Sequence, residues 1–245
     1  MGLESADRVF DEATERAIMT MMRGGLKRIS AASYAAAVSS FGNWLHAKRI
    51  RAAPYKKIKI RVPKMEPDFL ERDEYLAMLR TPVCGLNLRR AQVAVNVFLD
   101  TGIRTAELLG LTPTDLSEQF IRVCGKGMKQ RFAPWLPATR AKVLEFAAEY
   151  PGEFIFHTAT GRKMGARNLL RDVKALAKKA GIKRRVFLHL LRHTLGSWYL
   201  ADGGNVKALQ AIMGHSSLSV TNRYAGASNT MVRLDHAKAS PLANL

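Results

Sequence analysis

Acidic residues are scarce in this chain: 20 Asp and Glu stand against 39 Lys and Arg in 245 residues, a formal net charge of +19. Self-repulsion of that size disfavours the compact state unless a polyanion offsets it, so nucleic acid is the expected partner. Charge alone does not separate a dedicated nucleic-acid protein from a basic chain that adheres to any acidic surface. Cysteine is nearly absent. Cys84 and Cys124 lie far apart, with no Cys-x-x-Cys pair and no suitably spaced histidine, which argues against a structural zinc site and suits a reducing compartment. Clustered carboxylates are lacking as well, which disfavours a metal-dependent nuclease of the two-metal kind. Nothing approaches the roughly 20 consecutive apolar residues of a membrane span. The N-terminus shows no basic stretch followed by an apolar run and a cleavage site, so the expected location is the cytoplasm. Internal repeats and low-complexity tracts are missing too.

What is present belongs to an ordinary globular chain, with 47% hydrophobic and 24% charged residues. The length suits one sizeable core and a smaller accessory unit. Apolar residues at spacings of three and four (Val9, Phe10, Ala13, Ala17, Ile18, Met21 and Met22) predict a helix over residues 7–27, ended by Gly24-Gly25. A second helix is predicted from Ser33 to Lys48. It carries Tyr34, Val38, Phe41, Trp44 and Leu45 on one face, with Ser30 or Ser33 as N-cap. From Arg49 to Lys64 the chain turns basic and is punctuated by Pro54 and Pro63. Lys56, Lys57, Lys59, Arg61 and Lys64 suit an extended linker along a phosphate backbone, and the same composition serves a solvated surface loop.

Beyond the linker, helices are predicted at FLERDEYLAML, at residues 89–99 before the turn at Thr101-Gly102, and over Thr105–Leu111. The segment FIRVCGKGMKQRFAPW reads as two short strands joined by a Gly-containing hairpin with a lysine at its tip. Helical periodicity returns at residues 138–149, 165–180, 188–201 and 205–213. His189 and Arg192 are three apart on the third of these, so both project from one helix face, an arrangement suited to a phosphate. His215 follows a Gly at a helix-to-turn junction, and Tyr224 comes nine residues later.

Three boxes stand in order: Thr101-Gly102-Ile103-Arg104-Thr105-Ala106-Glu107-Leu108, then Leu188-His189-Leu190-Leu191-Arg192-His193-Thr194, then Met213-Gly214-His215-Ser216-Ser217 with Thr221-Asn222-Arg223-Tyr224. With them the sequence resembles the tyrosine recombinases of the phage-integrase class, Xer-like in pattern, over residues 66–226. Any one box is a weak signal, whereas four features in the right order, the hairpin included, are a strong one. The resemblance implies a mainly α catalytic domain of the DNA breaking-rejoining fold with a small antiparallel sheet (66–226). It is preceded by a truncated helical core-binding region (1–51) and a basic linker (52–65). A tail follows (227–245), with a short helix at Thr230–Ala239 that relatives dock on a neighbouring protomer; a disordered terminus reads equally well.

The implied chemistry suits the residue types. A phosphodiester under attack gains negative charge, and arginine forks donate paired hydrogen bonds to its oxygens at any working pH. Arg104 and Arg192 are the expected clamp, His215 a further donor, and Tyr224 the nucleophile, which must lose its proton as it attacks. By resemblance Lys126 is the general acid for the 5′-oxygen, with Lys129 as fallback; His189 assists at the tyrosine, and Glu107 holds Arg104. Lys129 and Arg131 join the linker residues as expected DNA contacts. No metal, nucleotide or other cofactor is expected. The implied partners are double-stranded DNA, further copies of the chain as a tetramer on two duplexes, and an accessory protein whose requirement the sequence leaves open. Two rival readings of the residues remain: a topoisomerase-like nicking-closing enzyme, and a non-catalytic DNA-binding regulator.

Overall fold

The computed structural model describes residues 3–56, 58–62, 68–124, 130–214 and 236–242. The chain divides into two compact units, Met1–Glu66 and Pro67–Leu245.

The first unit is a helical hairpin of α1 (Leu3–Arg23) and α2 (Arg28–Ala47). Helix α1 stops where Gly24-Gly25 was expected to end it. Helix α2 differs from expectation at its start and in its buried face. It begins at Arg28 with Lys27 as a cap lacking any side-chain bond, and Ser33 lies inside the helix with its hydroxyl donating to the Ile29 carbonyl. The face it buries is Ala31, Ala35, Ser39 and Gly42, whereas Tyr34, Phe41 and Trp44 are exposed. Small residues win because they admit a neighbour closely: a Cβ at Gly42 would lie 2.6 Å from the Tyr55 Cβ. The described residues of the basic segment that follows are in neither helix nor strand. Ile58 and Ile60 pack on the small core of Ile18, Ala31 and Ala35, and Lys56, Lys59 and Arg61 face solvent. Alternation over residues 58–62 therefore seats this stretch on the hairpin with Lys59 and Arg61 outward. Arg51 fastens its start, donating to Asp11 at 2.6 Å and to the Ala53 carbonyl at 2.6 Å.

The second unit contains α3 (Arg72–Arg80), α4 (Gly85–Thr101), α5 (Thr105–Leu108), β1 (Phe120–Cys124), β2 (Gln130–Pro134), α6 (Pro137–Glu149), α7 (Ala166–Lys179), α8 (Leu188–Ala201) and α9 (Val206–Met213). Helix α4 is the centre, packed against α6, α7 and α8, with Val93, Val97, Phe98 and Leu99 in the core. From Arg90 to Thr101 it is buried nearly all round, polar Arg90, Asn96 and Asp100 included, because neighbours cover it on several sides. A buried ion pair of Arg90 and Asp172 ties α4 to α7, and Arg90 also donates to the His157 carbonyl at 2.6 Å. The two strands pair antiparallel from Phe120↔Pro134 to Cys124↔Gln130. The fold is thus mainly α with one small antiparallel sheet, the class expected from the sequence.

Near the C-terminus, residues 236–239 form a helical turn seated on the end of α4 of the same chain. Asp100 is fully buried there. Its carbonyl and carboxylate face His236 Nε2 at 2.5 and 3.0 Å, and its carboxylate accepts from Ser240 at 2.9 Å and from the Leu136 backbone N–H at 2.8 Å. No described helix is long and apolar enough to cross a membrane.

Candidate active site

The first box closes α4 and opens α5. Gly102 caps α4 with φ 56°, and Arg104 is the N-cap of α5. Glu107, one turn on, receives the Arg104 backbone N–H at 2.7 Å and the Arg104 guanidinium at 2.9 Å. These two bonds, both donated by Arg104, answer why a glutamate stands three residues after the arginine: its carboxylate satisfies an orphan N–H and fixes the side chain together. Arg104 remains 42% exposed and open to a ligand, while Glu107 is 3% exposed.

Arg192 comes from α8, one turn after His189, and is buried. Its terminal nitrogens donate to the carbonyls of Gly102 and Met213. Burial, and then the like charges of Arg104 and Arg131, lower its pKa to about 10, so it stays cationic at neutral pH. Arg104, Arg192 and His189 line one cleft of about 270 Å³ with Phe98, Ile103, Thr105 and Leu188. Partial desolvation, then His193 and Arg192, hold the His189 pKa below the usual histidine value. The rings of His189 and His193 meet edge to face at 4.4 Å between centroids.

Three consecutive carbonyls at the end of α9 each accept from a different arginine: Ile212 from Arg131, Met213 from Arg192 and Gly214 from Arg104. A helix C-terminus exposes unpaired carbonyls and partial negative charge, so cations settle there. The turn leading to His215 is thereby fixed against both arginines of the cleft. Gly214 takes φ 62° at this point, and a Cβ on it would lie 2.5 Å from Arg131 Nε.

Arg131 departs from its expected role as a DNA contact. It lies on the inner side of β2 with Ala133, 17% exposed, with its terminal nitrogens on Glu107 and Ile212. The period-two alternation of the strand carries the signal that finds it, since Gln130 and Phe132 face outward. Lys56, Lys59 and Arg61 are on the surface of the first unit. Lys57, Lys64, Lys126, Lys129, His215 and Tyr224 lie outside the described residues. Among the described residues no group of three or more His, Cys, Asp or Glu side chains is placed to hold a metal ion.

Two arginines and a histidine converge on one cleft in a helical domain with a two-stranded antiparallel sheet, an arrangement suited to an oxyanion. Residues 68–231 match the phage integrase family. The chain is 28% identical over 244 residues to tyrosine recombinase XerC of Syntrophus aciditrophicus, covering 91% of this chain and 77% of that protein. It is 31% identical over 209 residues to XerC of Myxococcus xanthus, covering 77% and 68%. Its fold is similar to that of a lambda integrase dimer bound to a COC′ core site, with a TM-score of 0.66 at 16% identity over 84% of this chain and 79% of that one. The XerA recombinase superposes with a TM-score of 0.57 at 23% identity, covering 94% and 84%. The chain belongs to the phage integrase family of tyrosine recombinases. It is an enzyme of that class, a site-specific DNA recombinase.

Proposed function

We propose that Tyr224 attacks the scissile phosphate of duplex DNA while Arg104 and Arg192 hold its non-bridging oxygens, with His215 a further donor to the same group. The observation that carries this reading is the convergence of Arg104 and Arg192, from distant parts of the sequence, on one cleft with His189. Cations fixed in advance stabilise the more highly charged transition state more than the ground state. His189, whose neutral form is favoured by its lowered pKa, is suited to accept the tyrosine proton. The tyrosine oxygen bonds to phosphorus, the bond to the 5′-oxygen breaks, and Lys126 gives that oxygen a proton. The product is a 3′-phosphotyrosyl link and a free 5′-hydroxyl. The reverse attack by a hydroxyl from a second duplex completes exchange, with bond energy conserved in the intermediate.

DNA is the partner this chemistry requires, and the lambda integrase neighbours include a dimer on a core site and a tetramer on a Holliday junction. By that likeness the working form is a tetramer on two DNA sites, acting in the cytoplasm where nucleoid DNA lies, with or without an accessory protein. Residues 52–65 form the linker between a short clamp and the catalytic domain, and Lys56, Lys57, Lys59, Arg61, Lys64 and Lys129 meet phosphates. The tail seated at Asp100 supports a role in assembly, the same seat on a neighbouring copy receiving it during exchange. The recombinase relatives disfavour a swivelling topoisomerase or a non-catalytic regulator.

The test is to incubate wild type and Tyr224→Phe with fragmented genomic DNA in EDTA, denature, and recover DNA bound covalently to protein. Adducts from wild type alone are expected, and sequencing them gives the target site. Adducts surviving in Tyr224→Phe would remove Tyr224 as nucleophile.

A further inference from the structure

We propose that Arg131 is a positioning residue that registers the lysine hairpin against the arginine cleft, so that the general acid and the clamp act on one phosphate. The inference rests on the reading of Lys126 given above. Arg131 is the second residue of β2, just past the stretch of sequence between the two strands that contains Lys126, and it pairs in register with the buried Val123 of β1. Its guanidinium donates to Glu107 Oε2 at 2.8 Å and to the Ile212 carbonyl at 2.6 Å. The other oxygen of the same carboxylate takes the Arg104 guanidinium at 2.9 Å. One buried glutamate therefore joins the base of the hairpin to the clamp, and the second bond joins it to the turn before His215. The remaining edge of the guanidinium lies against Gly214, where any Cβ would meet Nε and Cδ at 2.5 and 2.7 Å. A lysine cannot reproduce this fork, because its single ammonium has no planar pair of donors aimed in two fixed directions. Removing the cation leaves Glu107 buried with one partner instead of two, and a buried charge held by fewer partners shifts or draws in water.

The test compares full-length Arg131→Ala and Arg131→Lys with Lys126→Ala and Arg192→Ala in single-turnover cleavage. Two versions of the target DNA recovered above are used. One is ordinary; in the other, sulfur replaces the 5′-bridging oxygen of the scissile phosphate. Attack then forms the tyrosine–phosphorus bond and breaks phosphorus–sulfur, and the thiolate leaves without needing a proton. On ordinary DNA, Arg131→Ala is expected to lose on the order of 100-fold, the lower range for a misplaced general acid. On the sulfur substrate it should recover most of that loss, as Lys126→Ala does, while Arg192→Ala stays slow on both. Arg131→Lys should fall between wild type and Arg131→Ala, and it serves if Arg131→Ala does not fold. Recovery of Lys126→Ala without recovery of the Arg131 variants overturns the inference. Failure of Lys126→Ala itself to recover removes Lys126 as general acid, and the proposal for Arg131 falls with it.

Discussion

Arg192 donates to the carbonyl of Met213 with one terminal nitrogen and to that of Gly102 with the other. One guanidinium thus joins the turn after α4 to the last turn of α9, and the group expected to grip the phosphate is also a strut of the domain. Arg104 has a lighter structural duty, being partly exposed and braced mainly by Glu107. Arg192→Ala and Arg104→Ala should each lower cleavage by about 100- to 1,000-fold, the range for loss of one preorganised donor to a transition state, with DNA affinity nearly unchanged. Arg192→Ala should also cost stability, by about 1–3 kcal/mol for each buried carbonyl left without a donor, and more than Arg104→Ala, which frees the half-buried Gly214 carbonyl and one oxygen of Glu107. Denaturant unfolding beside single-turnover cleavage separates the two effects; equal stability loss in both variants would contradict the strut.

Gly214→Ala is expected to be damaging for two reasons. The residue has φ 62°, and the added Cβ would meet the half-buried Arg131 side chain. A non-glycine left-handed residue costs of order 1–3 kcal/mol. Stability should fall by roughly that amount, and cleavage should fall further because His215 follows directly. A Gly214→Ala protein with wild-type thermal stability would show that Arg131 moves aside freely.

Cleavage should depend on pH through His189. Partial desolvation, His193 and Arg192 all disfavour its protonated form, so its pKa lies below the ordinary value. The acid limb of the single-turnover rate should therefore fall below about pH 6.5, the unperturbed value. His193→Gln removes one positive neighbour and part of the ring packing, so the limb should move to higher pH. A limb that stays in place in His193→Gln, or moves down, would assign it to another group. The same sign holds for stability: a lowered histidine pKa contributes stability at neutral pH that is lost as pH falls through the unfolded value.

Release of the tail can be forced at its seat. His236→Ala with Ser240→Ala removes both side chains that meet Asp100 from the tail. Limited proteolysis should then clip residues 236–242 at least several-fold faster, while covalent attachment to DNA continues and strand exchange slows. Unchanged exchange would mean that this seat has no part in assembly.

Replacing Lys56, Lys59 and Arg61 by alanine should weaken binding to every DNA sequence alike. If all three meet phosphates, the slope of log affinity against log salt should drop by about 2.7, at 0.9 per contact. An unchanged slope would make the segment a solvated surface.

The helices of the second unit were legible because their apolar spacing is strong and their ends are punctuated. The span 188–201 agrees with α8 at both ends, and 138–149 differs from α6 by one residue. Helix α2 was misjudged at its face because periodicity weighs large apolar residues, whereas close packing at Ala31, Ala35 and Gly42 decided which side the rest of the hairpin unit covers. Arg131 reads in the sequence as a DNA contact because it is basic and beside the strand connection, and only its strand face shows that it meets Glu107 and Ile212.

By itself, the sequence determined that this is a tyrosine recombinase. Reactive groups must be particular residue types at particular spacings, and the residues proposed for those roles, Arg104, His189, Arg192, His215 and Tyr224, stand as a linear pattern. Only the tertiary structure decided how the arginines are held, since Ile212, Met213 and Gly214 bind through backbone carbonyls that every residue possesses and no sequence pattern marks.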